Sequence, residues 1–184
     1  MKKSLTLSLI IAISPIIGGL YGIIHDQITY TISSEYYTKF KFIQFEFADS
    51  FEAAEKLPHQ RLFVAGVGFF ATWWMGLLLG LILGLVGLKH KKPKSMFNIT
   101  IKAMLLVSLV SLIIGILGLF YGKYYLANKA IGWWFPENLV DRTNFIAVGS
   151  MHNFAYWGAF IGLILAIIYS VNQHKKSKTQ ITNC

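Results

Sequence analysis

The sequence predicts an all-α protein, a four-helix transmembrane bundle with a structured outer loop between helices 1 and 2. Three observations point there. Only 14% of the 184 residues are charged while 55% are hydrophobic, against about one quarter charged in soluble domains. The apolar residues gather in four runs, about 5–24, 62–88, 99–121 and 147–171, each long enough to cross ~30 Å of hydrocarbon at ~1.5 Å per helical residue. With outer loops 25–61 and 122–146, a short inner loop 89–98 and a tail 172–184, the runs account for one integral membrane domain, 1–184.

In the first span, Lys2 and Lys3 precede LTLSLIIAISPIIGGLYGII, which imitates a secretory signal. The apolar part is too long and lacks a small-x-small cleavage site, so an uncleaved span is expected. Pro15 frees a carbonyl that Ser14, Ser8 or a neighbouring helix can satisfy, and a kink there is left open. The second span carries Gly76, Gly80 and Gly84 at four-residue spacing, a face on which another backbone can approach closely. Ser108, Ser111, Gly115, Gly118 and Gly122 mark a similar seam in the third span, and Ala155, Gly158, Gly162 and Ala166 one in the fourth. Packing within the bundle is the expected use of these seams, and dimerisation the other.

The large outer loop has apolar content enough to be ordered. FKFIQFEF alternates aromatic and polar residues and reads as a strand or an extended strip on the membrane surface, with Lys41 and Glu46 wet. ADSFEAAEKLPHQR reads as a short amphipathic helix, capped by Asp49 with Glu52 and ended by Pro58. Trp73, Trp74, Trp133, Trp134 and Trp157 are expected at the membrane interfaces.

Charge sets the expected orientation. Lys89, Lys91, Lys92 and Lys94 crowd the short loop, Lys175, Lys176 and Lys178 the tail, and all eight acids fall in the two longer loops. Both termini are therefore expected in the cytoplasm, in the bacterial cytoplasmic (inner) membrane. The net charge of +9 is a topology signal; contact with anionic lipid heads explains the lysine flanks, and no nucleic-acid recognition element surrounds them. Cys184, the single cysteine, excludes an intrachain disulfide and is expected to be a tail residue.

Ionisable groups near hydrocarbon are costly, so their clustering carries information. His25 and Asp26 stand at the outer end of the first span, with Thr29 one turn on, and His152, Asn153 and Tyr156 near the outer start of the last. Glu35 and Tyr36 follow in the loop, and His59 and Arg61 precede the second span. Two histidines with Asp26 or Glu35 form a donor set for a transition metal, Zn, Fe or Cu, and a second carboxylate could orient an imidazole. No H-E-x-x-H-type spacing is present. The plainer reading is that His25 and Asp26 cap a helix end while His152 bonds a neighbouring helix. A metal-free, proton-handling pocket is the third. Arg61 and Arg142, the two arginines, are expected to pair with Asp26, Glu35 or Asp141, or to hold an anionic ligand such as a lipid head group at the outer face.

The stretches YGIIHDQIT, EYYT, ATWWMGLLLG and HNFAY together resemble a family of small, uncharacterised bacterial four-span membrane proteins. The family pattern is H-D-Q-x-T, E-Y-F-T, A-T-W-W-x-G-L-L-L-G and H-N-x-x-Y, here met by His25, Asp26, Gln27 and Thr29, by Glu35, Tyr36 and Thr38, by Ala71 to Gly80, and by His152, Asn153 and Tyr156. The resemblance covers most of the chain and implies the four-span fold but no activity. One departure stands out: family members continue with Gly-His-Pro after E-Y-F-T, where Lys39, Phe40 and Lys41 stand here.

Three functions follow as expectations. The first is a binding or accessory membrane protein with an outward-facing polar, metal-binding pocket under the 25–61 loop, acting with membrane lipid, a membrane-protein partner or a second copy. The second is a metal-dependent membrane enzyme in which His25 and His152 hold the ion and Glu35 or Asp26 acts as ligand or general base. The third is a small transporter subunit, which would need an oligomer because glycine-packed helices leave little space for a pathway. The distance between His25 and His152 separates them: a shared ion requires the imidazoles within ~5 Å and a carboxylate beside them, since metal bonds are ~2.0–2.2 Å.

Overall fold

The computed structural model describes residues 2–182, with side chains as far as residue 176. Cys184 and the Lys178 side chain, both expected in the tail, lie outside the described residues. In chain order the elements are α1 (Lys3–Ile32), a π-helical turn (Tyr37–Lys41), α2 (Phe42–Gln44), α3 (Phe51–Glu55), α4 (Gln60–Gly87), α5 (Pro93–Tyr124), a 3-10 turn (Leu126–Asn128) and α6 (Arg142–Thr182). The four long helices are long and apolar enough to cross a membrane, so the fold is that of a multi-pass membrane protein. Among the described residues there is no strand.

The helices overrun the apolar runs. α1 continues to Ile32, past residue 24, and α6 begins at Arg142, ahead of residue 147. Hydropathy marks only the part in hydrocarbon, whereas the helical bond ladder continues wherever the next residue still finds its partner four back. α1 also runs unbroken through Pro15. The carbonyl that Pro15 cannot engage is that of Ile11, and Ser14 Oγ donates to it at 3.0 Å.

The bundle is two helix pairs. α1 lies along α4, and α5 along α6; contacts between the pairs are much sparser. The glycine seams explain this. Gly22 and Gly68 pack backbone to backbone, and a Cβ on either would run into the other's carbonyl. Gly76 and Gly80 receive Ser14 and Gly18 of α1, and Gly158 and Gly162 receive Ser111 and Val107 of α5. Thr72 Oγ1 lies 2.8 Å from the Gly18 carbonyl and 2.7 Å from that of Gly68, reinforcing the first pair. Because every seam is used inside a pair, none draws the pairs together, and space remains between them.

Over the end opposite the lysine-rich loop sits a cap. Tyr37 and Phe42, fully buried, pack with Val64 and Val67 of α4 and with Phe145 and Val148 of α6. The expected strand or surface strip in FKFIQFEF is thus replaced by the π turn and α2. α3 forms as expected, but its cap is Ser50, whose Oγ accepts from Ala53 N at 3.2 Å, and not Asp49. Trp73 and Trp74 also depart from the expected belt, standing partly exposed near the middle of α4. At the lysine-rich end, Lys3 Nζ donates to the Leu88 carbonyl and His90 Nε2 lies 3.1 Å from Ser170 Oγ, tying the short loop to both pairs.

Candidate functional site

The continuation of α1 places its chemistry. Gly22, His25, Asp26 and Thr29 fall on one buried stripe of the helix, the spacing expected of a single helical face. On α6, Val148, Met151, His152 and Ala155 make the opposing stripe. The two stripes meet under the cap. The His25 and His152 rings lie edge to face with centroids 4.7 Å apart, and Asp26 stands between them. His25 Nδ1 is 3.0 Å from Asp26 Oδ1, and His152 Nε2 is 3.4 Å from the same oxygen. One donor atom from each of the three residues fits within a group no wider than 4.8 Å.

The hydrogen bonds restrict what can occupy this group. His152 Nδ1 lies 2.9 Å from the Val148 carbonyl, which can only accept, so Nδ1 carries a proton. In a neutral ring Nε2 then presents a lone pair, and it faces a carboxylate oxygen that also has only lone pairs to offer. Both His25 Nε2 and His152 Nε2 are buried without a hydrogen-bond partner. Buried polar atoms are normally satisfied. A cation between the rings and the carboxylate resolves the conflict, either a metal ion or the second proton of an imidazolium.

Aromatic neighbours hold the geometry. Tyr36 stacks on His152 with centroids 5.0 Å apart and an interplanar angle of 27°. Thr29 Oγ1 lies 3.2 Å from the Asp26 carbonyl and accepts a 2.6 Å bond from the Tyr37 hydroxyl, tying cap to helix. Burial pushes both the Tyr36 and Tyr37 phenols well above the usual tyrosine range, with the Asp26 carboxylate adding to it. They stay neutral.

Other expected site residues are placed elsewhere. Glu35 is turned away from the histidines: Oε1 takes Lys39 Nζ at 2.7 Å and Val140 N at 2.9 Å, and Oε2 takes Asp141 N at 2.7 Å. Burial pushes the Glu35 carboxyl up, but Lys39 and the two amides outweigh it and hold it below its ordinary value. It fastens the 122–146 connection to the cap. His59 is exposed in a left-handed conformation ahead of α4. Arg61 pairs with none of the expected acids; it donates to Gln27 Oε1 at 2.9 Å and Thr31 Oγ1 at 3.2 Å and lies over Tyr30. Arg142 lies over Phe135. Asn153 points to the far side of α6, into a shallow aromatic depression with Trp133 and Trp134. Tyr156, half exposed, stays on the His152 side.

The gap between the helix pairs is a cavity of about 80 Å³, and His25, Asp26, His152 and Lys41 stand at its capped end. Towards the lysine-rich end its wall becomes Gly76, Leu79, Val107 and Ala159. Tyr21 crosses it, bonding Ser111 Oγ at 2.6 Å, while Ser111 donates to the Ala155 carbonyl. Lys41 and Tyr21 are the residues that sequence reasoning missed. Tyr21 is four residues before His25, a signal available on a helix known to extend that far. Lys41 had no such signal, since the alternating pattern around it suggested a wet position.

Fold and site together define a multi-pass α-helical membrane protein with a buried His–Asp–His group opening on a cavity between its helix pairs. No protein-family model, no curated protein and no solved structure matches the chain.

Proposed function

We propose that this protein binds a transition-metal ion through His25, Asp26 and His152, in an outward-facing pocket of a bacterial inner-membrane protein with both termini in the cytoplasm. The observation that carries the reading is the meeting of the three donors within 4.8 Å, with two imidazole nitrogens buried and unbonded. Two imidazoles and a carboxylate, with no thiolate among them, suit Zn²⁺ or Fe²⁺ better than Cu⁺. The Val148 carbonyl on His152 Nδ1 is the kind of outer bond that fixes a ligand's tautomer. The lysine distribution supports the orientation. Three protein ligands leave room for a further ligand from the cavity, which is what a binding protein or a metal-dependent enzyme would use. A transport pathway is less well supported, because the cavity wall is apolar towards the lysine-rich end.

Elemental analysis of detergent-purified protein tests the reading. Wild type should carry close to one equivalent of Zn or Fe, and His25→Ala and His152→Ala should each lose it. Metal that is absent from wild type, or unchanged in both variants, would falsify the proposal. Absence would leave the proton-filled His–Asp–His group as the reading.

A further inference from the structure

At the lysine-rich end the two helix pairs leave a groove of about 520 Å³ between the first part of α1 and the start of α5, lined by Leu9, Lys92, Pro93, Lys94 and Phe97. That volume falls within the ~300–1,000 Å³ range of small-molecule sites. Leu9, exposed on the bundle's flank, stands about 9 Å along α1 from Lys3 at ~1.5 Å per residue. The groove therefore runs from the charged end of the bundle into its apolar part. Its charge is uncompensated. Lys92 and Lys94 are exposed, and among the described residues neither forms an ion pair. All eight acids of the chain fall within 26–55 and 137–141, at the other end of the bundle. Both lysines also stand at the start of α5, where no acid occupies the first turn, so they add positive charge to the positive end of the helix dipole. An anion in the groove relieves both.

We infer that this groove holds one anionic phospholipid, its phosphodiester on Lys92 and Lys94 and an acyl chain along Leu9 and Phe97. Basic pockets between membrane helices suit such heads, and an ammonium–phosphate bond is charge-assisted. A head whose only charge is the phosphate fits best, because a zwitterionic head brings its own ammonium against the two lysines. A chain gains little by leaving the bilayer for the protein, since lipid tails are as apolar as leucine. Selectivity therefore resides in the lysines, and the apolar floor fixes where the lipid lies. Because α1 and α5 belong to different pairs, the lipid braces one against the other, adding to the Lys3–Leu88 and His90–Ser170 bonds at the same end. The inference does not rest on the metal reading, whose residues lie at the opposite end of the bundle.

The test is native mass spectrometry of full-length protein in detergent, titrated with dioleoyl phosphatidylglycerol or dioleoyl phosphatidylcholine to give the affinity of the first bound lipid. Wild type should hold phosphatidylglycerol about tenfold more tightly than phosphatidylcholine, the worth of one bond to a charged group. Lys92→Gln combined with Lys94→Gln should abolish that preference. Lys89→Gln combined with Lys91→Gln, which removes the same charge from the same loop but outside the groove, should keep it. Leu9→Trp, which fills the floor, should weaken phosphatidylglycerol several-fold. All five positions are exposed, so the lipid-free melting points of these variants should match wild type. Equal loss of preference in the two lysine double variants would mean diffuse attraction to a charged end, and undiminished binding in Leu9→Trp would place the lipid elsewhere. Inorganic phosphate competing as strongly as phosphatidylglycerol would mean an anion site without a chain. Each of these three results overturns the inference.

Discussion

His152 turns Nδ1 to the Val148 carbonyl at 2.9 Å and leaves Nε2 3.4 Å from Asp26 Oδ1. The first contact dictates the state of the second. With Nδ1 as donor, Nε2 and the carboxylate approach each other only if a positive charge lies between them. A helix start has no need of such an arrangement. The same carboxylate oxygen already faces His25 Nδ1 at 3.0 Å, so Asp26 is shared by two imidazoles from two helix pairs.

Asp26→Asn separates the two cations that could resolve this conflict. With its NH₂ at the Oδ1 position, an asparagine can donate one hydrogen to His152 Nε2 and the other to His25 Nδ1 once that ring carries its proton on Nε2. In chelator-treated protein the variant should melt no lower than wild type if the resident cation is a metal, since removing the ion leaves wild type with the lone-pair conflict. Added Zn²⁺ at about 100 times its Kd should stabilise wild type by ~2.7 kcal/mol and the variant far less. A large loss of melting temperature in the chelated variant would instead mark an imidazolium–carboxylate pair, whose charge the substitution removes.

Glu35 gives a pH dependence away from the histidines. Its carboxyl is held below its ordinary value of 4.5 by Lys39 and the Val140 and Asp141 amides, against the opposing effect of burial. A carboxylate with a lowered folded value contributes its stability fully above the unfolded value and loses it as pH falls through the folded one. The 122–146 connection should therefore loosen only at acid pH, below about 4.5. Hydrogen exchange at Val140 and Asp141, corrected for its intrinsic pH dependence, reads this directly. Glu35→Gln should weaken the docking already at neutral pH, by about 2 kcal/mol for bonds to a charged group. Protection that is the same in wild type and variant would sink the assignment.

The four spans and the glycine seams were legible in the sequence because hydropathy and small-residue spacing are local signals. The seams' consequence was less so. Gly76, Gly80 and Gly84 show that something packs closely, but only the fold shows that α1 answers them and that the cleft between pairs is left unfilled. His25, Asp26 and His152 could be singled out by the cost of placing charge near hydrocarbon. Their meeting could not, since it depends on α1 continuing through eight more polar and apolar residues to Ile32. Glu35 was misplaced for a related reason: its partners Val140 and Asp141 lie more than a hundred residues away, and no local pattern points to them.

Gly68 and Gly132 make opposite tests of the packing. A Cβ at Gly68 would meet the carbonyl of Gly22 and the amide of Ile23, both backbone and unable to rotate aside, whereas one at Gly132 would meet nothing within 4 Å. Gly68→Ala should destabilise the protein by about 1–3 kcal/mol, as overpacking does. Gly132→Ala should be nearly silent. Thermal unfolding followed by tryptophan fluorescence in one detergent is the measurement, and equal melting points for the two variants would refute close packing of α1 on α4.

Tyr21 and Ser111 hold the two pairs across the cavity with one 2.6 Å bond. Ser111 spends its proton on the Ala155 carbonyl, so the phenol is the donor. Tyr21→Phe should cost about 1 kcal/mol in wild type, the usual net worth of a hydrogen bond. In a Ser111→Ala background the same substitution should cost close to nothing, because the acceptor is already gone. Ser111→Ala alone should cost more than Tyr21→Phe, since it also strips the Ala155 carbonyl of its partner. The double-mutant cycle thus isolates the bond between pairs from the bond within one. Strict additivity of the two substitutions would show that the phenol does not bridge the cleft, and the two pairs would then be joined through the cap, the lysine-rich loop and the apolar cluster of Leu83 with Ala103, Met104, Val107 and Ala166.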